Sequence, residues 1–104
     1  MSALAVEINI PGAINVHIVS NTLTVDLDDG RSVSVPISWF PRLANGTLRE
    51  QSQWRFIGGG HGIHWEALDE DISVEGLITG KPSNESQSSL DRWLKSRMTK
   101  KFGM

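Results

Sequence analysis

Cysteine is absent from this 104-residue chain, and its absence excludes several classes of protein. Disulfide-stapled scaffolds, metal sites built on thiolates and covalent catalysis through a thiol all need cysteine. No stretch approaches the roughly 18 apolar residues of a membrane-spanning helix, and the N-terminus has no basic segment followed by a long apolar run. We therefore expect a cytoplasmic protein that has no membrane partner.

Acidic residues are missing from the end of the chain. Residues 92–104 hold five basic residues and no acid, a formal charge of +5, whereas residues 1–91 hold all 12 acids and five basic residues, a charge of −7. The body is therefore acidic and the tail basic. The composition, with 38% hydrophobic and 21% charged residues, is that of a globular protein, and the length is enough for one small domain.

Three short segments in the first third of the chain alternate between apolar and polar residues. Residues 14–19, 23–27 and 33–35 have the two-residue period and the β-branched side chains of strands, and turn residues separate them. An Asp-Gly pair ends the second turn and is typical of a tight hairpin. The pattern predicts a three-stranded antiparallel meander. The residues of its middle strand predicted to face the core are Leu23, Val25 and Leu27.

The second half of the chain predicts another hairpin and several short helices. Residues 54–57 have the composition of a strand, glycines follow them, and a hairpin closes on residues 63–65. Thr47 and Glu50 form the capping box of one short helix, and Ser73 is the N-cap of another. The fold class is therefore α+β: an antiparallel sheet of about five strands, made of the meander and the second hairpin, with short helices and a C-terminal amphipathic helix.

The C-terminal helix is predicted to begin at about residue 86. Its apolar residues recur at intervals of three and four, which places them along one face. We expect a single domain over residues 1–82 and a basic helix over residues 83–104 that packs on this domain or on a partner. The predicted apolar stripe consists of Leu90, Trp93, Leu94 and Met98.

The densest group of chemically capable residues lies in residues 58–71, where four glycines lead into two histidines, a tryptophan and four carboxylates. Strand alternation directs Ile63 and Trp65 to the core and His64 and Glu66 to the opposite face. We expect His64 and Glu66 to form a cross-strand polar pair and the glycines to shape a tight turn. A phosphate-binding loop is not expected, because a strand and not a helix N-terminus follows the glycines.

A metal site is the alternative interpretation of the same segment. Imidazole and carboxylate groups suit zinc or iron, and neighbouring residues of a strand can converge on one ion. Their spacing matches no established metal-binding signature, so no metal and no other cofactor is predicted. A metal-binding protein or enzyme stays an alternative, with the candidate ligands His61, His64, Glu66 and Asp69.

Covalent and acid-base catalysis have little support in the sequence. The acids at positions 69–71 are consecutive, so they cannot all face one pocket, and we expect them to stabilise the start of the helix near Ser73. No serine stands in a Gly-x-Ser-x-Gly turn. We therefore predict that the protein is not an enzyme.

Aromatic and charged residues indicate binding more readily than catalysis. The chain has four tryptophans, and tryptophan is enriched at the anchors of protein interfaces. Arg42 is predicted either to pair with one of the acids at positions 69–71 or to face a partner. The residues predicted to shape a protein interface are Trp39, Arg42, His64, Trp65, Glu66, Asp69 and Asp71.

The basic tail offers a different function. Five positive charges within ten residues attract phosphates, so a nucleic-acid-binding regulator is an alternative. A helix-turn-helix would need a second helix after this one, and the sequence has none. Self-association through the helix is another alternative. The predicted nucleic-acid contacts are Arg92, Lys95, Arg97, Lys100 and Lys101.

Two motifs resemble those of a bacterial family known as domain of unknown function 2442. The first is Val-Pro-Ile-Ser-Trp-Phe-Pro-Arg-Leu at positions 35–43, the second is Gly-Ile-His-Trp-Glu-Ala-Leu-Asp-Glu-Asp-Ile-Ser-Val at positions 62–74, and Trp54 lies between them. The resemblance covers about residues 12–80. It implies a small α+β domain, often encoded beside another small protein of unknown function in an arrangement similar to toxin-antitoxin pairs. It implies no activity.

Some members of the family it resembles carry a C-terminal helix-turn-helix domain that binds DNA, and this chain departs from them after Pro82. Together, the residues and the resemblance predict a non-catalytic protein-binding module, antitoxin-like or regulatory. Its expected partner is a small co-encoded protein.

Overall fold

A computed structural model describes residues 9–101 of the chain, with side chains as far as Met98. The side chains of Lys100 and Lys101, two of the five predicted nucleic-acid contacts, lie outside the described residues. The predicted domain over residues 1–82 is described from residue 9 onward. No helix of the described chain is long and apolar enough to cross a membrane.

The predicted three-stranded meander is confirmed. Its strands pair antiparallel in chain order. Ser20 and Asn21 both have positive φ angles, which give the first turn the twist that a hairpin needs. Gly30, at φ 92°, lies in the second turn. The strands are β1 (Ala13–Val19), β2 (Thr22–Leu27) and β3 (Ser32–Pro36).

The middle strand β2 directs one face into the core, as the alternation predicted. Leu23, Val25 and Leu27 are buried, whereas Thr24 and Asp26 lie on the other face and are partly exposed. Because every second side chain of a strand points the same way, these three apolar residues fix the register of the whole meander.

Two short helices connect the meander to the rest of the chain. After a 3₁₀ turn at Ile37–Trp39 come α1 (Pro41–Ala44) and α2 (Leu48–Gln51). The capping box predicted for α2 is confirmed: Thr47 Oγ1 accepts a hydrogen bond from the Glu50 amide at 3.1 Å, and Glu50 Oε1 accepts one from the Thr47 amide at 2.8 Å. Both amides lie at the helix start, where no carbonyl of the helix is available to them.

A second antiparallel sheet has three strands where the sequence predicted a hairpin. Its last strand contains acids that sequence analysis assigned to the start of the following helix, and that assignment is wrong. Asp69 has a left-handed conformation with φ 50° and reverses the chain after a 3₁₀ turn. Glu70 and Ile72 are buried, whereas the residues that follow each of them are exposed. Because Glu70 is an acid at a core-facing position, this alternation could not be recognised in the sequence. The strands are β4 (Arg55–Ile57), β5 (Gly62–Trp65) and β6 (Glu70–Ser73).

The α+β class is confirmed, and residues 9–101 contain six strands in two sheets of three instead of one sheet of about five. Ser73 is the N-cap of α3 (Val74–Ile78), as predicted, because its side chain accepts a hydrogen bond from the Gly76 amide at 2.9 Å. The last helix, α4 (Gln87–Lys101), follows a polar segment that has no regular structure.

The buried faces of both sheets meet in one hydrophobic core. Ile63 and Trp65 on β5 are fully buried, as the alternation predicted. The indole Nε1 of Trp65 donates a hydrogen bond to the Gln51 carbonyl at 3.0 Å, so the polar atom of this large side chain is satisfied inside the core. The predicted role of Trp65 in a partner interface is therefore corrected to a role in the core.

The glycine run before β5 allows close packing against the first strand. Gly59 and Gly60 have φ angles of 68° and 95°, which side chains rarely tolerate. A Cβ atom on Gly60 would lie only 3.1 Å from the Ala13 carbonyl oxygen, whereas a Cβ atom on Gly59 would meet nothing within 4 Å. The glycines therefore have the turn-shaping role that the sequence predicted.

Replacing Gly60 with alanine is expected to lower the free energy of unfolding by about 2–3 kcal/mol, because strain at positive φ adds to the clash with Ala13. Gly59→Ala is the matched control and is expected to lose about 1 kcal/mol, since only the strain applies. Urea unfolding of both variants measures the difference. Equal losses would contradict the close approach to β1.

Candidate functional site

A groove of about 1020 Å³ runs between the C-terminal half of α4 on one side and the α1–α2 connection with the turn after β5 on the other. Ala67, Leu94 and Met98 contribute apolar surface, and Met98 is 60% exposed. Glu66 and Asp69 also line the groove, and their side chains are 81% and 86% exposed. Both carboxylates are already paired with arginines of the chain, at 3.3 and 3.4 Å, so the groove combines an apolar lining with a rim of exposed ion pairs.

One wall of the groove is held in place by an ion pair between α4 and α2. The guanidinium of Arg97 donates two hydrogen bonds to the Glu50 carboxylate, at 2.7 and 3.1 Å. This guanidinium is the main cause that lowers the pKa of Glu50 to about 2. Because Glu50 also closes the capping box of α2, one carboxylate joins the start of α2 to the end of α4.

Trp93 attaches α4 to the body beside this pair. Its ring packs against the hydrophobic core and is half-buried. The guanidinium carbons of Arg97 and Arg42 lie over the ring, 4.7 and 5.2 Å from its centroid, at distances typical of cation–π contacts. Arg42 of the body and Arg97 of α4 therefore contact the same aromatic ring.

Arg42 is the centre of a second ion-pair network. Its Nε and Nη2 atoms donate hydrogen bonds to Glu85 at 2.7 to 3.0 Å, and its Nη1 atom lies 3.4 Å from Asp69. Glu85 also accepts a hydrogen bond from Ser89 Oγ at 2.8 Å. The predicted pairing of Arg42 with one of the acids at positions 69–71 is confirmed for Asp69. The closer partner, Glu85, was missed because it lies 43 residues away in a polar segment that has no periodic pattern.

Glu70 is a buried carboxyl beside this network. It occupies a core-facing position of β6 and is 9% exposed. Burial raises the pKa of Glu70 to about 7, and the nearby charge of Glu85 adds to the increase. The residue therefore changes its charge near neutral pH, close to the point where the chain leaves the body for α4.

His64 lies on the outer face of the second sheet. Its Nδ1 atom is 2.5 Å from Asp71 Oδ1 on the neighbouring strand, and its Nε2 atom is 3.2 Å from Glu66 Oε1. The predicted pair of His64 and Glu66 forms, but Glu66 lies in the 3₁₀ turn after β5 and not on a neighbouring strand; the cross-strand partner is Asp71. Asp71 is the main cause that raises the pKa of His64, because a carboxylate stabilises the imidazolium.

The described side chains do not bring the candidate metal ligands together. Residues 9–98 contain no group of three histidine, aspartate or glutamate side chains with the geometry to hold a metal ion. His61 is exposed, and its carbonyl accepts a hydrogen bond from the Val74 amide at 3.0 Å. The imidazole of His64 instead contacts the carboxylates of Asp71 and Glu66, and of these two only Glu66 is a candidate ligand.

The predicted site residues occupy two adjoining sites, linked by the contact of Glu66 with His64, and the core. Glu66 and Asp69 line the groove, with Arg42 bonded to Asp69 and otherwise mostly buried. His64 and Asp71 form the pair on the outer face of the second sheet. Trp39, like Trp65, packs in or against the core, although it remains half-buried rather than fully enclosed.

The basic tail is only partly available to a nucleic acid. Arg92 and Lys95 are exposed on α4, but Arg97, a third predicted contact, bonds Glu50 inside the molecule. The groove was not predicted from the sequence, because α2 and α4 are far apart along the chain. Glu50 and Arg97 carry opposite charges, but α2 buries no residue, so the sequence contains no pattern that would pair the two helices.

The pair of Glu50 and Arg97 is expected to contribute about 1 kcal/mol of coupling energy, since both side chains are roughly a quarter exposed. Glu50→Gln keeps an acceptor for the Thr47 amide, so it weakens the pair and retains the capping box. A double-mutant cycle of Glu50→Gln with Arg97→Gln in urea measures the coupling. Strictly additive losses would contradict a pair that holds α4.

Replacing Glu70 with glutamine is expected to stabilise the chain at pH 8 by about 2–3 kcal/mol and to change little below pH 4.5. Because the folded pKa lies above the unfolded value, the unfolded chain loses this proton first as pH rises. The free energy of unfolding therefore falls between about pH 4.5 and 7 in the wild type, and glutamine, which stays neutral, removes that fall.

Urea unfolding of wild type and Glu70→Gln across this pH range measures the effect. His64 also favours the folded state at low pH, but it is present in both proteins and cancels in the difference. A difference that is constant with pH would contradict a buried, titrating Glu70.

Comparison with known proteins assigns a family and no activity. Residues 13–83 match the family described as protein of unknown function (DUF2442). The crystal structure of a protein of unknown function from Rhodospirillum rubrum ATCC 11170 is similar with a TM-score of 0.65 and 27% identity, covering 79% of this chain and 99% of that one. The solution NMR structure of an uncharacterized protein from Chromobacterium violaceum has a TM-score of 0.61 at 19% identity, covering 78% of this chain and 74% of that one, and supports the fold alone. No curated protein matches the chain.

The matched residues agree closely with the resemblance, which covered about residues 12–80, and they end near the point where the polar segment before α4 begins. All of α4 therefore lies beyond the part that defines the family. Over the greater part of its length, this chain belongs to the DUF2442 family of proteins of unknown function.

Proposed function

We propose that this chain is a non-catalytic protein-binding module, and that the groove beside α4 binds an amphipathic, basic segment of a small co-encoded protein. The observation that carries the proposal is the groove itself: about 1020 Å³, with an apolar lining and a rim of exposed, ion-paired carboxylates. Apolar contacts would supply binding energy, and the exposed carboxylates of Glu66 and Asp69, which already pair with arginines, would accept further bonds from a basic partner.

The anchoring of α4 supports this role. A binding surface holds its shape when its walls are fixed before the partner arrives, because less conformational freedom is then lost on binding. The bonds from Arg97 to Glu50 and from Arg42 to Glu85 fix one wall at two points. Met98 lies on this wall and is 60% exposed, so it is available as a contact residue.

The polar clusters of the described residues support a role without catalysis. On the outer face of the first sheet, Asp26 accepts a hydrogen bond from Ser32 Oγ at 2.6 Å and lies 3.1 Å from His17 Nε2. The carboxylate thus stands between hydroxyl and imidazole, whereas an activated serine needs the imidazole next to its hydroxyl. At His64, both ring nitrogens face carboxylates.

The nature of the partner follows from the resemblance to a family whose members are often encoded beside another small protein. We propose an antitoxin-like or regulatory role in the cytoplasm, and binding to the co-encoded protein is the first part of it to test. The charge of −7 over residues 1–91 attracts a basic partner to the body, and the basic α4, which forms one wall of the groove, limits this attraction there.

Co-expression of the full chain with the product of the neighbouring gene tests the proposal. The tagged wild type is expected to copurify with that product, and Met98→Asp is expected to weaken binding roughly tenfold or more, because it places a charge in the apolar lining. Leu48→Asp is the matched control: Leu48 is 85% exposed, lies outside the groove and is expected to keep wild-type binding.

Two results would overturn the proposal. The first is absence of copurification with folded wild-type protein. The second is equal binding by wild type and Met98→Asp, which would place any interface elsewhere.

A further inference from the structure

The last helix is held to the body by side chains that are only partly buried. Residues 87–98 of α4 include no fully buried side chain. Trp93 contributes a half-buried ring, and Arg97 contributes the ion pair with Glu50. Elements with few buried contacts open at a lower free energy than the core of the same protein. A modest change in the contacts of α4 therefore alters how often the helix opens.

The segment that leads to α4 passes beside a buried carboxyl, that of Glu70. Glu70 is 9% exposed, and within residues 9–98 no group donates a hydrogen bond to its side chain. It lines two cavities of about 220 and 280 Å³, and Ser83 and Asn84 line both of them with it. The next residue is Glu85, whose bonds to Arg42 hold this segment on the body. The buried carboxyl and the attachment of α4 therefore share one small region.

A charged Glu70 has no free partner in this region. Arg42 attracts it, but this guanidinium already bonds Glu85 and Asp69. Glu85, Asp71 and Asp69 repel it. Burial of a carboxylate without a hydrogen bond is costly in itself. Burial, followed by the charge of Glu85, therefore raises the pKa of Glu70 to about 7.

We infer that Glu70 is a pH-sensitive switch for the last helix: α4 is docked most firmly while this carboxyl is protonated, and ionisation favours release of α4. Release takes Glu85 away from the carboxyl, admits water to it and leaves Arg42 free to pair with it. Lys81 is the remaining charged residue that lines either cavity, and it is exposed. The switch is independent of the proposed function, because it moves a helix of this chain and needs no partner.

Raising the pH favours the released form. With α4 released, the pKa of Glu70 falls toward its usual value of 4.5, so the docked form holds the proton more tightly. Docking is therefore firmest below about pH 4.5, weakens as the pH rises to about 7 and changes little above that. A complete return to the usual value would change the docking equilibrium roughly 300-fold. Because β6 keeps Glu70 partly buried after release, we expect a change of about tenfold or more.

Hydrogen exchange of the full chain tests the switch, with Glu70→Gln as the variant that stays neutral. At pH 8 the amides of α4 are expected to exchange about tenfold or more slowly in Glu70→Gln than in the wild type, and at pH 4 the two proteins are expected to agree. Comparison at the same pH cancels the dependence of intrinsic exchange on pH. Glu75→Gln is the matched control: Glu75 is exposed on α3, and this variant is expected to follow the wild type at both pH values.

Removal of the neighbouring charge tests whether Glu85 is the link between the carboxyl and the helix. Glu85→Gln keeps an acceptor for Arg42 but no longer repels a charged Glu70. The effect of Glu70→Gln on the exchange of α4 at pH 8 is therefore expected to be smaller in the Glu85→Gln background than in the wild type. The amides of β2 report the unfolding of the core in the same experiment.

Four results would overturn the switch. They are equal exchange of α4 in wild type and Glu70→Gln at pH 8, a difference of the same size at pH 4, an effect of Glu70→Gln that Glu85→Gln does not reduce, and an α4 that opens only together with β2. The last result would show that Glu70 acts on the stability of the whole domain. None of the four bears on partner binding, which the co-expression experiment measures separately.

Discussion

The bidentate ion pair between Arg42 and Glu85 determines where the last helix leaves the body. Both side chains are mostly buried, with 17% and 12% of their surface exposed, so the pair is shielded from solvent and its bonds are short. Loss of either partner would leave a charge with reduced access to water, which is costly. The polar segment before α4 has no regular structure. Its residue Glu85 is joined to α1 by the bonds with Arg42.

Residues spaced one turn apart on α4 then determine how the helix lies along the groove. Ser89 continues the network onto the first turn of α4 through its bond to Glu85, and Trp93 comes one turn later, beneath the guanidinium of Arg42. Arg97 comes after another turn and reaches Glu50. Residues four apart on a helix share a face, so positions 89, 93 and 97 form one continuous line of attachment. The flank that holds Leu94 and Met98 is left outside that line.

The family motif at positions 62–74 has a structural explanation. Ile63 and Trp65 fill the core, Asp69 makes the left-handed reversal, and Ser73 caps α3, so the pattern records how the second sheet closes. His64 and Asp71 bond across neighbouring strands on the other face. Glu70 is the exception, since a buried acid destabilises the sheet when it is charged. Glu70 lies near Arg42 and Glu85, whose charges shift its pKa in opposite directions.

Local pattern determined much of the fold from the sequence alone. Strand alternation placed Leu23, Val25, Ile63 and Trp65 in the core, and cap residues placed the starts of α2 and α3, because these signals depend only on neighbours within a few positions. Strand β6 was missed for the same reason. Glu70, an acid at a core-facing position, breaks the alternation locally, and only the tertiary surroundings of Glu70 explain why it is buried.

The candidate site depended on contacts that no local signal encodes. Arg42 and Glu85 are 43 residues apart, and Glu50 and Arg97 are 47 apart. Residue types alone made Arg42 and the acids plausible partners, but they could not rank the acids, since the strength of an ion pair depends on distance and burial. The sequence by itself determined the α+β architecture, the core faces and the opposite charges of body and tail. Only the tertiary structure decided which charges meet, and therefore where α4 lies and that a groove opens beside it.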